Sequence, residues 1–131
     1  MSKLGVNTEE ELISMVEEAA KRGQTHSLVQ FSAPWCERCP AFTEAVEQQS
    51  TKYQFEWLYA LLPEAEDLKE VYEIAKLPAV VLLHCTQKEA SNQAIQMPAP
   101  LLVEQSVSPA RLGVLLAQHC KHVPLAFDED F

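Results

Sequence analysis

Two cysteines that stand three positions apart, Cys36 and Cys39, are the residues of this 131-residue chain best suited to chemistry. At that spacing two thiols can close into a disulfide with little backbone movement, or stay reduced at the start of a helix. The residues before them, 28–32, predict a buried strand, and residues 41–49 predict a helix. A Cys-x-x-Cys between a strand and a helix is typical of thiol–disulfide exchange rather than of metal binding.

Such exchange needs one accessible thiol that ionises readily and one buried thiol that resolves the mixed disulfide. Cys36 is expected at the N-terminal end of the predicted helix, where free backbone N–H groups and the helix dipole stabilise a thiolate. That thiolate would attack a partner's disulfide, and Cys39 would then release the product. Arg38 would favour the thiolate and Glu37 would partly cancel this effect. Trp35 would offer a flat apolar contact beside the nucleophile.

The proline that follows the pair, Pro40, is an unusual residue for this position. If Cys36 is the N-cap, the amide of residue 40 would make the first helical hydrogen bond, and proline has no N–H to donate. On that condition we expect the first turn of the helix to be loosened.

Local patterns predict the elements that position these cysteines. Thr8, answered by Glu11 three residues later, predicts the start of a first helix, and Gly23 marks its end. Alternating aromatic residues over 55–60 predict a second strand. The continuous apolar run over 79–83 predicts a central strand that is covered on both faces.

Apolar residues at helical spacing predict the inward faces of the helices. These residues are Leu12, Met15, Val16 and Ala19 in the first helix, Phe42, Ala45 and Val46 in the second, Ala65, Leu68, Val71, Tyr72 and Ala75 in a third, and Leu112, Leu115, Leu116 and His119 in a last helix. Ser108-Pro109 would cap that last helix.

The remaining segments complete one α/β domain over residues 1–131. Residues 3–6 predict a short first strand, residues 87–100 a loop or irregular hairpin, and residues 101–103 an edge strand. Strands that alternate with helices imply parallel pairing, and the two adjacent strands near the end imply an antiparallel edge. An acidic tail of about residues 125–131 is expected to be solvated.

Composition and charge exclude several classes of function. The net charge is −9, and no basic stripe is present, so we expect no nucleic-acid partner. No apolar run approaches the roughly 18 residues of a membrane span, so we expect no membrane partner. The acidic N-terminus lacks the apolar segment of a signal peptide, which favours a cytoplasmic protein. In that reducing compartment the four cysteines are expected as thiols, with any disulfide being catalytic.

The stretch Phe-Ser-Ala-Pro-Trp-Cys-Glu-Arg-Cys over residues 31–39, together with a later Leu77-Pro78 at the head of an apolar strand, resembles the thioredoxin family over nearly the whole chain. The resemblance implies the thioredoxin fold, a central mixed sheet of four to five strands flanked by about four helices. It implies that Pro78 follows a cis peptide bond and lies against the cysteines. Trp35, Leu77 and Pro78 would then shape the substrate groove, with the Leu77 backbone free to pair with a substrate chain.

Four positions depart from the family pattern. Gln30 stands where the family usually has a buried acid, and Tyr59 stands near the place of its accompanying lysine. The dipeptide Glu37-Arg38 also differs from those of the known subfamilies. Because these positions, with Pro40, tune proton transfer and redox poise, the potential of this protein is not expected to be that of a typical thioredoxin.

The resemblance predicts a thiol–disulfide oxidoreductase that reduces protein disulfides through Cys36 and Cys39. Together with the N-terminal sequence and composition, we expect it to be cytoplasmic and monomeric. It would need no bound cofactor, because a separate reductase or a small dithiol would supply the electrons. The alternative is a noncatalytic thioredoxin-fold module, or a subunit of a larger assembly, in which both cysteines are idle.

Cys85 and Cys120 are interpreted as small buried residues, with regulatory oxidation as the alternative. The neighbouring histidines, His84, His119 and His122, could join them in a metal site. Structural zinc sites usually have closely spaced ligand pairs, and the Cys36–Cys39 pair is expected to lie far away. We therefore predict no metal; an iron–sulfur cluster that bridges two chains is a minor alternative.

Overall fold

The computed structural model describes residues 3–85 and 99–123. Five strands and four helices follow one another there: β1 (Leu4–Gly5), α1 (Glu9–Lys21), β2 (His26–Ser32), α2 (Cys39–Ser50), β3 (Glu56–Leu61), α3 (Glu66–Val71), β4 (Ala79–His84), β5 (Pro100–Gln105) and α4 (Pro109–His119). The predicted loop or hairpin over 87–100 lies almost wholly outside the described residues, and so does the predicted acidic tail.

The five strands form one mixed sheet in the order β1-β3-β2-β4-β5. β1, β3 and β2 are parallel, whereas β4 runs antiparallel to β2 and β5 antiparallel to β4. The predicted antiparallel edge is thus confirmed, and its strand, β5, is longer than predicted. In the pairing of β2 with β3, Gln30 lies opposite Tyr59.

Helices cover both faces of the sheet and enclose two hydrophobic cores. Leu12 of α1 and Leu68 of α3 pack on one face, and Phe42 of α2 and Leu116 of α4 pack on the other. Each of these side chains is almost fully buried, which stabilises the fold by roughly 1.5–3 kcal/mol per side chain. The central strands are accordingly buried on both sides.

The first helix begins as its sequence predicts. The Thr8 hydroxyl accepts a hydrogen bond from the Glu11 amide, and the Glu11 carboxylate accepts one from the Thr8 amide. This reciprocal pair satisfies two amides that have no partner within the helix. At the other end, Gly23 adopts a φ of 92°, a conformation that glycine reaches without a steric penalty.

Three predicted inward positions are wrong. Val71, the last residue of α3, is exposed. Ala75 is exposed as well, because it lies beyond the end of α3 and after Glu73, whose φ of 56° is not helical. His119 is also exposed, since it lies in the last turn of α4 beyond the leucines that face the sheet. None of the helices within residues 3–85 and 99–123 is long and apolar enough to cross a bilayer.

Candidate active site

Cys36 and Cys39 form a disulfide whose Cα atoms are 5.4 Å apart. Cys39 is the first residue of α2 and only 1% exposed, because it belongs to the core. Cys36 is half-buried and lines a cleft at the protein surface. One sulfur of the pair can therefore be reached from solvent, and the other is screened.

The two cysteines lie in successive tight turns between β2 and α2. The Cys36 amide donates to the Ala33 carbonyl at 3.1 Å, and the Cys39 amide donates to the Cys36 carbonyl at 3.3 Å. These turns carry the chain from the end of a buried strand directly to the start of a helix. The cysteines thus follow the end of the central strand β2 and lie outside the sheet.

Helix α2 begins at Cys39 with Arg38 as its N-cap, so the condition that Cys36 is the N-cap is not met. Pro40 then falls in the first helical turn, where the missing N–H would have no partner within the helix. The first helical hydrogen bond is present, because the Phe42 amide donates to the Arg38 carbonyl at 3.1 Å. The expected loosening of this turn is therefore wrong.

The cleft next to the disulfide has a volume of about 470 Å³. Nine residues line it: Trp35, Cys36, Glu37, Arg38, Leu62, Lys69, Ile74, Ala75 and Leu77. Trp35 is 64% exposed, which is unusual for so large an apolar residue. An exposed apolar wall beside an accessible sulfur is suited to contact with another protein.

The Leu77–Pro78 segment meets the cysteine turns at this end of the sheet. Its peptide bond is cis. The Arg38 guanidinium donates a hydrogen bond to the Leu77 carbonyl at 3.1 Å, so the two segments are in direct contact. Pro78 itself is buried, and its carbonyl accepts a hydrogen bond from the Val107 amide at 3.0 Å. Of the predicted groove residues, Trp35 and Leu77 line the cleft, whereas Pro78 is not among the residues that line it.

A fully buried amide, that of Gln30, lies on β2 in the stretch leading to the cysteines. Its nitrogen donates to the Thr43 hydroxyl at 2.7 Å, and its oxygen accepts from the Trp57 indole N–H at 2.9 Å. The side chain thus links β2, β3 and α2 without carrying a charge. Thr43 lies four residues after Cys39, on the same helical face, and this spacing could have identified it from the sequence.

Tyr59, which lies opposite Gln30 in the sheet, has the ammonium group of Lys3 next to its ring. The Lys3 ammonium lies 5.1 Å from the Tyr59 ring centroid and 5.8 Å from that of Trp57. Cations at such distances are attracted to the faces of aromatic rings. No sequence pattern indicated this contact, because Lys3 precedes both rings by more than fifty positions.

The other two cysteines are free and buried, as predicted. The Cys85 sulfur is 2.9 Å from the Ser27 hydroxyl. Burial raises the pKa of Cys85, an effect that the Ser27 hydrogen bond partly offsets. Burial also raises the pKa of Cys120 to about 11. Both thiols are thereby kept in their less reactive, protonated form.

No group of three or more histidine, cysteine, aspartate or glutamate side chains within the described ranges is arranged to hold a metal ion. His84 and His122, which could have joined such a site, contact aromatic rings instead. His84 packs edge-on against His26 with ring centroids 5.6 Å apart, and His122 packs against Tyr53 at 4.6 Å.

The family profile described as Thioredoxin matches residues 5–103 of the chain. Because that match spans most of the sequence, the chain belongs to the thioredoxin family. Membership in this family, together with a Cys-x-x-Cys pair at disulfide distance, makes it a thiol–disulfide oxidoreductase. Family members in general act on protein disulfides and receive electrons from a reductase.

Solved thioredoxin structures share the fold at low sequence identity. Plasmodium falciparum thioredoxin is 12% identical, with 91% of this chain and 89% of that chain covered and a TM-score of 0.69. A mutant thioredoxin from Halobacterium salinarum is 18% identical, with 94% and 95% covered and a TM-score of 0.70. Oxidised thioredoxin O2 from Arabidopsis thaliana is 17% identical, with 92% and 96% covered and a TM-score of 0.68. No curated protein matches the sequence significantly.

Proposed function

We propose that this protein reduces the disulfides of other proteins, with Cys36 as the nucleophile and Cys39 as the resolving thiol. The observation that carries the assignment is the unequal exposure of the two sulfurs. Cys36 lines an open cleft, whereas Cys39 is 1% exposed. A substrate disulfide can therefore reach Cys36 but not Cys39.

The reaction starts from the dithiol form. The Cys36 thiolate attacks one sulfur of the substrate disulfide, a bond forms between these sulfurs, and the substrate's second sulfur leaves as a thiolate that takes up a proton. Cys39 then loses its proton and attacks the Cys36 sulfur. The Cys36–Cys39 disulfide forms, and the first substrate sulfur leaves as a second thiol. Two electrons pass to the substrate, and the protein ends in the oxidised form.

The cleft supplies the contacts that hold a substrate against Cys36. Trp35 and Leu77 provide apolar surface, and the buried Pro78 follows Leu77 directly. The cycle closes when a reductase or a small dithiol reduces the Cys36–Cys39 disulfide, so no bound cofactor is required. We extend the proposal to a monomer that works in the cytoplasm, where thiols are kept reduced.

Proton transfer from Cys39 is proposed to go to water. Gln30, Thr43 and Trp57 form the polar network next to the start of α2, and an amide at position 30 cannot accept a proton at neutral pH. Glu37 and Arg38 instead set the charge near the sulfurs and thus the redox potential.

Two variants test the relay. Cys36→Ser removes the nucleophile and is expected to abolish reduction of insulin disulfides. Cys39→Ser keeps the nucleophile but removes the resolving thiol, so it is expected to accumulate a mixed disulfide with the substrate, detectable by mass spectrometry. Cys120→Ser is the matched control, because it removes a thiol that lies outside the cleft.

Activity that survives Cys36→Ser would contradict the relay. If the unmodified protein shows no turnover and the pKa of Cys36 equals the ~8.5 of a free cysteine, the protein is instead a noncatalytic binding module.

A further inference from the structure

The cleft beside Cys36 combines an apolar floor with charged groups on its rim. Leu62, Ile74 and Leu77 supply the apolar surface. The rim carries two cations, Arg38 and Lys69, and one carboxylate, Glu37. The charged residues that line the cleft are thus positive in sum, whereas the whole chain has a net charge of −9.

Arg38 binds a backbone carbonyl, whereas Arg22 and Arg111 each bind a carboxylate. Arg22 binds the Glu56 carboxylate at 2.8 Å, and Arg111 binds Glu104 through two nitrogens. Within the described residues, Arg38 has no carboxylate within ion-pair distance and donates only to the Leu77 carbonyl. A guanidinium has five N–H donors, so most of those of Arg38 remain available to a ligand.

The same hydrogen bond fixes where this charge lies. Arg38 binds the Leu77 carbonyl at 3.1 Å, and both residues line the cleft that contains Cys36. Lys69 is a weaker candidate for ligand binding, because its ammonium lies 3.6 Å from the Glu66 carboxylate and is partly neutralised. The most available cation of the cleft is therefore next to the accessible sulfur.

We propose that Arg38 selects substrates, so that the protein prefers disulfides in which an aspartate or glutamate side chain stands beside the reacting cysteine. This inference rests on the proposed disulfide reductase function and names its substrate class. A carboxylate matches the planar guanidinium and can form two parallel hydrogen bonds with it. Because the whole chain is acidic, the preference comes from a local contact and not from long-range attraction.

Three disulfide peptides that differ only at the position beside the cysteine, with Asp, Asn or Lys there, test this selection. For the unmodified protein we expect kcat/KM for the Asp peptide to exceed that for the Asn peptide about two- to fivefold, the range typical of one partly exposed ion pair. The Lys peptide should be the poorest substrate. In Arg38→Gln the Asp-to-Asn ratio should fall to about one, and Arg38→Lys should restore part of it.

The ratio between peptides separates recognition from other effects of the substitution. Any change in the reactivity of Cys36 alters kcat/KM for all three peptides equally and leaves their ratios unchanged. Lys52→Gln is the charge-matched control, because Lys52 lies just beyond the far end of α2, about 20 Å along the helix from Cys39. It should leave the Asp-to-Asn ratio at its original value.

Glu37 provides a variant with the opposite expected sign. Glu37→Gln removes the carboxylate from the rim and should raise the Asp-to-Asn ratio. If the Asp-to-Asn ratio is the same in the unmodified protein and in Arg38→Gln, the role of Arg38 in substrate selection is overturned, but the proposed reductase function is not. Failure of the unmodified protein to reduce any of the peptides would overturn the proposed function together with this inference.

Discussion

The two ends of the sheet contain cysteines in opposite situations. At the end where β2 gives way to α2, Cys36 lines an open cleft and is bonded to Cys39. At the other end, Cys85 is buried beside Ser27, and Cys120 is buried at the end of α4. The comparison shows that accessibility and burial, rather than the presence of a thiol, decide where exchange chemistry can occur.

The polar groups at the two ends differ in the same way. At the Cys85 end, Arg22 is paired with the buried Glu56, and Thr25 is hydrogen-bonded to His26. These groups stabilise the fold and leave little for a ligand to bind. At the cleft end, Arg38 retains free donors and lines the same cleft as the accessible Cys36. The cleft end is therefore organised for binding, and the opposite end for stability.

The largest expected difference between the two ends is in thiol reactivity. A free cysteine with a pKa of about 8.5 is roughly 3% thiolate at pH 7, whereas the pKa of about 11 leaves Cys120 about 0.01% thiolate. After reduction with a dithiol, we expect iodoacetamide to modify Cys36 at least about 100-fold faster than Cys120 at pH 7. Peptide mass spectrometry over time measures both rates. Equal rates of modification for Cys36 and Cys120 would contradict the difference in thiol reactivity between the two ends of the sheet.

The second largest expected effect is a loss of stability on substitution of Gln30. Gln30→Leu leaves the buried Trp57 indole N–H without its acceptor, which should lower the free energy of unfolding by about 1–3 kcal/mol. Urea unfolding measures the change, and Gln48→Leu on the exposed face of α2 is the control, expected within about 0.5 kcal/mol. Unchanged stability in Gln30→Leu would show that this network does not hold the three elements together.

At the opposite end of the sheet, Arg22→Gln should lower the free energy of unfolding by about 1–2 kcal/mol, because it leaves the buried Glu56 carboxylate without its cation. The half-exposed position of Arg22 keeps this below the cost of breaking a fully buried pair. Lys21→Gln, an exposed neighbour with the same charge change, should shift the free energy of unfolding by less than about 0.5 kcal/mol. Disulfide reduction should be unaffected, and a large loss of activity in Arg22→Gln would contradict the division of roles between the two ends.

The smallest expected effect is a pH dependence of stability at His26. Burial first, and then the neighbouring His84 and His119, lower the pKa of His26 below its usual 6.5. The unfolded imidazole therefore binds a proton more tightly than the folded one, so its contribution is fully present above pH 6.5 and is lost as the pH falls below that value. Urea midpoints at about pH 7.5 and 5.5, on either side of the usual histidine pKa, measure the loss, which should be smaller in His26→Gln. An identical loss in both proteins would assign it to other groups.

Much of the fold and the central pair of the site could be predicted from the sequence. The capping box at Thr8, the buried run that became β4 and the Cys-x-x-Cys between strand and helix were all recognisable, because each depends on residues close together in the chain. The inward positions Val71 and His119 were wrong because helical spacing specifies a face but not the residue at which a helix ends or leaves the core.

By itself, the sequence determined most of the elements and the cysteine pair, since periodicity and spacing express short-range backbone geometry. The thioredoxin-like pattern was recognised from the resemblance of residues 31–39 and Leu77-Pro78 to that family. Only the tertiary structure decided how completely Cys39 is buried, that Arg38 meets the Leu77 carbonyl, and that Gln30 joins β2 to β3 and α2. These contacts join segments that are distant in sequence. They depend on how the sheet and helices pack together, and no local pattern encodes that.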